Sequence, residues 1–193
     1  MKNPIENEMK LILAILKSPE KEHSATTLSK ELKISVMGAL KIARRLEEKG
    51  ILNKKKIGMA NIYSLNLKNE HSKDYVIFLL KREKEQANPY IKMWLKELKK
   101  INSTASILFG SILTNEEKAN DIDVLLIVNK DNIKNIKKEI ESINVINQKK
   151  IHPLFQTKED LTEQIKEKNK VILNALKGIF VSGEEALIEI INQ

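Results

Sequence analysis

The stretch Asp121-Ile122-Asp123-Val124-Leu125-Leu126-Ile127-Val128 constrains the fold of this chain more than any other. An unbroken aliphatic run of this length, bounded by polar residues, reads as a strand buried on both faces. Side chains alternate along a strand, so Asp121 and Asp123 project together, about 7 Å apart at a rise of some 3.4 Å per residue. Two carboxylates on one face repel each other unless a cation lies between them. Oxygen ligands of this kind suit Mg²⁺, which takes one or two carboxylates and completes its shell with water and substrate phosphates. A second apolar run, Ser106-Ile107-Leu108-Phe109, reads as a buried strand that turns out through Gly110-Ser111, and nine residues separate Ser111 from Asp121. Gly110 lets the backbone approach a ligand, and Ser111 is expected to open a helix whose N–H groups hold phosphate.

Phe109-Gly110-Ser111, the nine-residue spacing and Asp121-Ile122-Asp123-Val124 together resemble the signature of the nucleotidyltransferase superfamily. They are most similar to the small prokaryotic minimal nucleotidyltransferases, some of which carry a winged helix in front. The resemblance extends over about residues 102–193 and includes the tail Leu176-Lys177-Gly178-Ile179-Phe180-Val181-Ser182-Gly183-Glu184-Glu185. It implies that Gly110 and Ser111 hold the triphosphate of a nucleoside triphosphate, and that Asp121 and Asp123 bind Mg²⁺ or Mn²⁺. Active relatives add a third carboxylate on the next central strand. Here that strand is expected within Asn144–Gln156, after a helix over Asn132–Ile143, and the segment contains no Asp or Glu. His152 is the nearest substitute, as metal ligand or general base. Glu159 and Asp160 fit the first turn of a following helix. The loop Ile112–Asn120 lacks the Arg-Gly element frequent in relatives, and Lys118 is its only base.

The first part of the chain has a different pattern. Met9, Ile12, Leu13 and Leu16 lie at helical spacing in a segment from Ile5 to Lys17, with Pro19 closing it. A short helix is expected from about Thr27 to Leu32, capped by Thr26 or Thr27. Lys33-Ile34 makes a turn, Ser35 caps a third helix with Ala39, Ala43 and Leu46 on one face, and Gly50 ends it. Strand-like runs Ile51–Ile57 and Asn61–Leu65 flank Gly58-Met59-Ala60 as a hairpin. Over residues 5–67 this order resembles a winged helix-turn-helix domain. In such domains the third helix enters the major groove and the wing touches the backbone. That places Lys41, Arg44 and Arg45 on the helix, and Lys54, Lys55 and Lys56 on the wing, as candidate DNA-binding residues.

Charge separates the two parts. Residues 1–68 hold 14 Lys+Arg against 7 Asp+Glu, a net +7, whereas residues 102–193 hold 12 against 14, a net −2. A basic front on a near-neutral back points to a polyanionic partner for the front. Between them, residues 69–101 read as a connector of two helices broken at Asn88-Pro89. Its stripe of Tyr90, Ile91, Trp94, Leu95 and Leu98 must bury against the next domain or a second chain, as in a homodimer.

The expected architecture is therefore α+β: a winged helix over 1–68, a helical connector over 69–101 and a small α/β nucleotidyltransferase domain with a mixed sheet over 102–193. No apolar run approaches the roughly 20 residues of a bilayer span, and no secretory signal opens the chain. With no cysteine, disulfides and thiol catalysis are excluded, and a cytoplasmic protein is expected. Three functions fit these residues: a nucleotidyltransferase with an unread acceptor, a nucleotide-binding transcriptional regulator with little or no catalysis, and the antitoxin-type partner of a toxin protein.

Overall fold

The computed structural model describes residues 4–192. The chain divides into two compact units, one reaching Leu79 and the other running from Leu80 to Ile191. The segment 69–101, expected as a connector, is shared between them. Among the described residues no helix is long and apolar enough to cross a membrane.

The first unit opens with α1 (Pro4–Lys17), followed by β1 (His23–Ser24), α2 (Ala25–Leu32), α3 (Val36–Glu48), β2 (Leu52–Ile57) and β3 (Ala60–Leu65). Met9, Ile12, Leu13 and Leu16 are buried, together with Leu28, Ala39, Ala43, Leu46 and Tyr63. Two details differ from the expected pattern. Helix α2 starts two residues early, because Ser24 is held extended in β1 by pairing with Ile62 and becomes the cap. The Ser24 hydroxyl accepts from the Thr27 N–H, and Thr27 accepts in return from the Ser24 N–H at 2.8 Å, so Thr27 is the third residue of a capping box rather than the cap. A cap of this kind stabilises its helix by about 1 kcal/mol. The hairpin is also tighter than expected, with Ile57 pairing Ala60 across Gly58-Met59. Ser35 caps α3 as expected, accepting from the Gly38 N–H at 3.0 Å. Strand β3 lies between β1 and β2, and both pairings are antiparallel.

Helix α4 (Glu70–Gln86) spans the unit boundary, and α5 (Pro89–Leu98) follows, capped by Asn88. The second unit continues with β4 (Ala105–Phe109), β5 (Asp121–Ile127), α6 (Ile133–Ile146), β6 (Lys150–Gln156), α7 (Lys158–Lys166), α8 (Lys170–Leu176), β7 (Ile179–Ser182) and α9 (Glu184–Ile191). Its sheet has the order β6-β5-β4-β7, with β5 and β6 parallel and the other neighbours antiparallel. The unit is thus α+β around a mixed sheet.

The apolar stripe of α5 is consumed inside this unit. Ile91, Trp94, Leu95 and Leu98 join Ile122, Val124 and Leu126 of β5 and Ile136, Ile140 and Ile143 of α6 in one buried cluster. Trp94 is 1% exposed, a packing residue. The alternation of β5 sends Leu125 and Ile127 to the opposite face, where α8 and α9 pack on β4 and α7 on β6. Asp121 and Asp123 share the parity of that second face. Helix α6 runs three residues beyond the expected end at Ile143, so β6 begins only at Lys150.

Candidate functional site

Strand pairing brings four stretches of chain to one end of the second unit's sheet. Antiparallel pairing sets Phe109, the last residue of β4, opposite Asp123 near the start of β5. Parallel pairing sets His152 of β6 on the other side of Asp123, and Lys150 beside Asp121. Leu108 pairs Ile179, which brings the start of β7 to the same end.

Gly110 adopts φ 86°, ψ −162°, a conformation open essentially only to glycine. A β-carbon there would lie 2.9 Å from the carboxyl carbon of Asp123 and would collide with its Oδ2. The Gly-Ser turn and the Asp123 carboxylate are therefore in direct apposition, across a gap that only a hydrogen can occupy. Ser111 opens a single 3-10 turn, Ser111–Leu113, where a longer helix was expected. The chain leaves that turn quickly because it must return to β5 within nine residues. The Thr114 hydroxyl donates back to the Ser111 carbonyl at 3.0 Å.

Asp121 is exposed and Asp123 half-buried, with Ile122 between them fully buried on the far face. His152 Nδ1 lies 3.2 Å from Asp123 Oδ1. Its ring is largely exposed, and it stands inside β6. Among the described residues no group of three or more His, Asp or Glu is assembled as a metal cage. Two carboxylates on one strand face, Asp121 exposed and Asp123 half-buried, fit an ion that draws its remaining ligands from substrate and water.

Several neighbours of the Gly-Ser turn were not legible in the sequence. A cleft of about 340 Å³ is lined by Phe109, Gly110, Ser111 and Thr114 on one side, and by Asn174, Lys177 and Gly178 on the other. Asn174 and Lys177 come from α8 and its cap, some sixty residues from the Gly-Ser turn. Lys149 Nζ donates to the carbonyls of Ala119, at 2.6 Å, and Glu116, which pins the loop leading into Asp121. Lys118 in that loop is exposed. Asp160 is the reciprocal partner of the Thr157 cap of α7, as its first-turn position implied.

In the first unit, Lys41, Arg44, Lys55 and Lys56 are exposed on α3 and β2. The other two candidates are engaged internally. Arg45 binds the buried Glu8 of α1, whose other oxygen accepts from the Tyr75 hydroxyl at 2.7 Å. Lys54 Nζ lies 2.6 Å from Glu47. Val36 and Met37, at the start of α3, are exposed apolar side chains.

No curated protein and no solved structure matches this chain. Residues 89–177 match the family model described as "Polymerase beta, Nucleotidyltransferase", a span that starts at α5 and holds the Gly-Ser turn, both aspartates and His152, and that supports the nucleotidyltransferase reading of this part of the chain.

Proposed function

We propose that this chain is a metal-dependent nucleotidyltransferase and that its first unit is a winged helix that binds duplex DNA. The observation that carries the first half is the apposition of Asp123 and Gly110, with Asp121 on the same strand face, inside the matched family span. Asp121 and Asp123 would hold Mg²⁺ or Mn²⁺. Such an ion, when bound, neutralises triphosphate charge and stabilises the departing oxygen. Gly110 and Ser111 receive the triphosphate, the glycine by letting the turn lie directly against Asp123 and the serine through its hydroxyl. The acceptor oxygen then bonds to the α-phosphorus as the bond to the bridging oxygen breaks, and pyrophosphate leaves. His152, whose Nδ1 lies 3.2 Å from Asp123, would take the acceptor's proton.

The winged-helix half rests on element order and charge. Three helices and a β-hairpin run in the expected sequence, and Lys41, Arg44, Lys55 and Lys56 remain available to phosphates.

Incubation with each labelled triphosphate, Mg²⁺ and fractionated cell extract tests the enzyme. Transfer is expected from the wild type and none from Asp121→Asn/Asp123→Asn. His152→Ala is expected to slow it by about 10²–10⁴-fold, the usual contribution of a general base. A second reading is favoured by one feature: β6 carries no carboxylate beside Asp123. In that reading the unit senses a nucleotide and biases DNA binding without turnover. Metal-dependent nucleotide binding with no transfer in any fraction would select it.

A further inference from the structure

We infer that Lys177, assisted by Asn174, binds the phosphate tail of the nucleotide from the side of the cleft opposite the Gly110-Ser111 turn. The inference rests on the nucleotide-binding reading given above and names the residues that complete it.

The placement of Lys177 is enforced by backbone. Gly178 follows it, and a β-carbon on Gly178 would lie 2.9 Å from the Phe109 Cβ and would collide with the Leu108 carbonyl. Only glycine allows this approach, so the end of α8 is held against the end of β4. One residue beyond, Ile179 pairs Leu108 and starts β7. Lys177 and Asn174 therefore face the Gly110-Ser111 turn across a cleft of about 340 Å³.

Charge gives this position a use. Two aspartates cancel one divalent ion, so the triphosphate needs a further cation. Lys149 is committed to the Ala119 carbonyl and Lys150 to the Asn147 carbonyl at 2.8 Å, and Lys118, exposed in the loop before Asp121, does not line the cleft. Lys177 and Asn174 are exposed, and neither side chain has a partner among the described residues. A lysine at a helix end also favours the helix dipole. That role predicts a change in stability alone, and so can be separated from ligand binding.

The test is calorimetry on the full chain with Mg·ATP, AMP and inorganic tripolyphosphate, for wild type, Lys177→Gln, Asn174→Ala and the surface control Lys166→Gln. Lys177→Gln is expected to weaken Mg·ATP and tripolyphosphate by about ten-fold or more, the scale of a lost charge-assisted hydrogen bond, while leaving AMP and the melting temperature nearly unchanged. Asn174→Ala should have the same selectivity with a smaller effect, and Lys166→Gln none. Wild-type binding that depends on Asp121 and Asp123 but is equal in Lys177→Gln would overturn this inference alone. A wild type that binds no Mg·ATP would overturn the inference together with the nucleotide reading beneath it. Equal weakening of AMP and tripolyphosphate would also overturn it, since a general distortion of the cleft would then be the cause.

Discussion

The two units present their candidate residues in opposite ways. In the second, Gly110, Asp121, Asp123, His152 and Lys177 come from separate stretches and meet because strand register places them at one end of a sheet. In the first, six cationic residues lie within sixteen positions on one helix and one hairpin, and proximity in sequence guarantees proximity on the surface. Yet two of those six are spent on internal carboxylates, Arg45 on Glu8 and Lys54 on Glu47. A charge count thus overstates what the first unit can offer a polyanion. A spacing motif understates what the second can offer a nucleotide, because Lys177 and Asn174 belong to no local pattern.

This contrast can be broken most sharply at Gly110. Alanine there would occupy a glycine-only conformation and press its β-carbon into Asp123. A loss on the order of 3 kcal/mol is expected, with metal-dependent nucleotide binding reduced in parallel. Denaturant melts and calorimetry on the same preparation would show whether both fall; a stable variant with full binding would contradict the tight apposition.

Arg45→Ala is the next largest. It leaves the buried Glu8 carboxylate accepting from the Tyr75 hydroxyl but without its guanidinium, and is expected to cost roughly 1–3 kcal/mol. The lower end is favoured because Arg45 itself is half-exposed and screened by solvent. Arg44→Ala should shift stability by no more than about 0.5 kcal/mol while weakening DNA binding. If Arg45→Ala alters DNA affinity with no change in stability, the internal role assigned to it is wrong.

The wing gives a finer comparison. Each of Lys55→Ala and Lys56→Ala should flatten the plot of log affinity against log salt by about 0.9. Lys54→Ala should flatten it less, because Lys54 already neutralises Glu47. Equal slopes for all three would remove the distinction between free and committed cations.

The smallest effect concerns α7. The Thr157 hydroxyl, and then the Thr157 N–H, hold the Asp160 carboxyl below the ordinary carboxylate range. The resulting stabilisation is present above the unfolded value and disappears as pH falls through the folded one. Asp160→Asn should remove that acid-side slope from melting curves and leave nucleotide binding untouched.

Much of the fold was legible because it is written in local chemistry. Ser35, Asn88 and Gly50 punctuate helices where their side chain or missing Cβ demands it, and Val124–Val128 leaves little choice but a central strand. The two aspartates were legible for the same reason, since alternation fixes their shared face. What escaped depends on partners distant in sequence. Strand β1 is two residues long and exists only because β3 offers an edge, and that pairing moved the α2 cap to Ser24. The position of His152 beside Asp123 required the β5–β6 register, a pairing of two strands with α6 between them in the chain. Lys177 required the close approach at Gly178, a property of two backbones rather than of either segment.

Among the described residues strand β6 closes one side of the sheet, with β5 as its neighbour. Pro153 stands in its middle, one residue after His152. Proline has no N–H to give, and in a strand it is tolerated where that side faces outward. A second copy seeking to extend the sheet along this edge would find its hydrogen-bond ladder interrupted at the centre. The same residue that follows the histidine thus acts as a guard against edge-to-edge aggregation, and makes the rim of the site poor ground for amyloid-like growth.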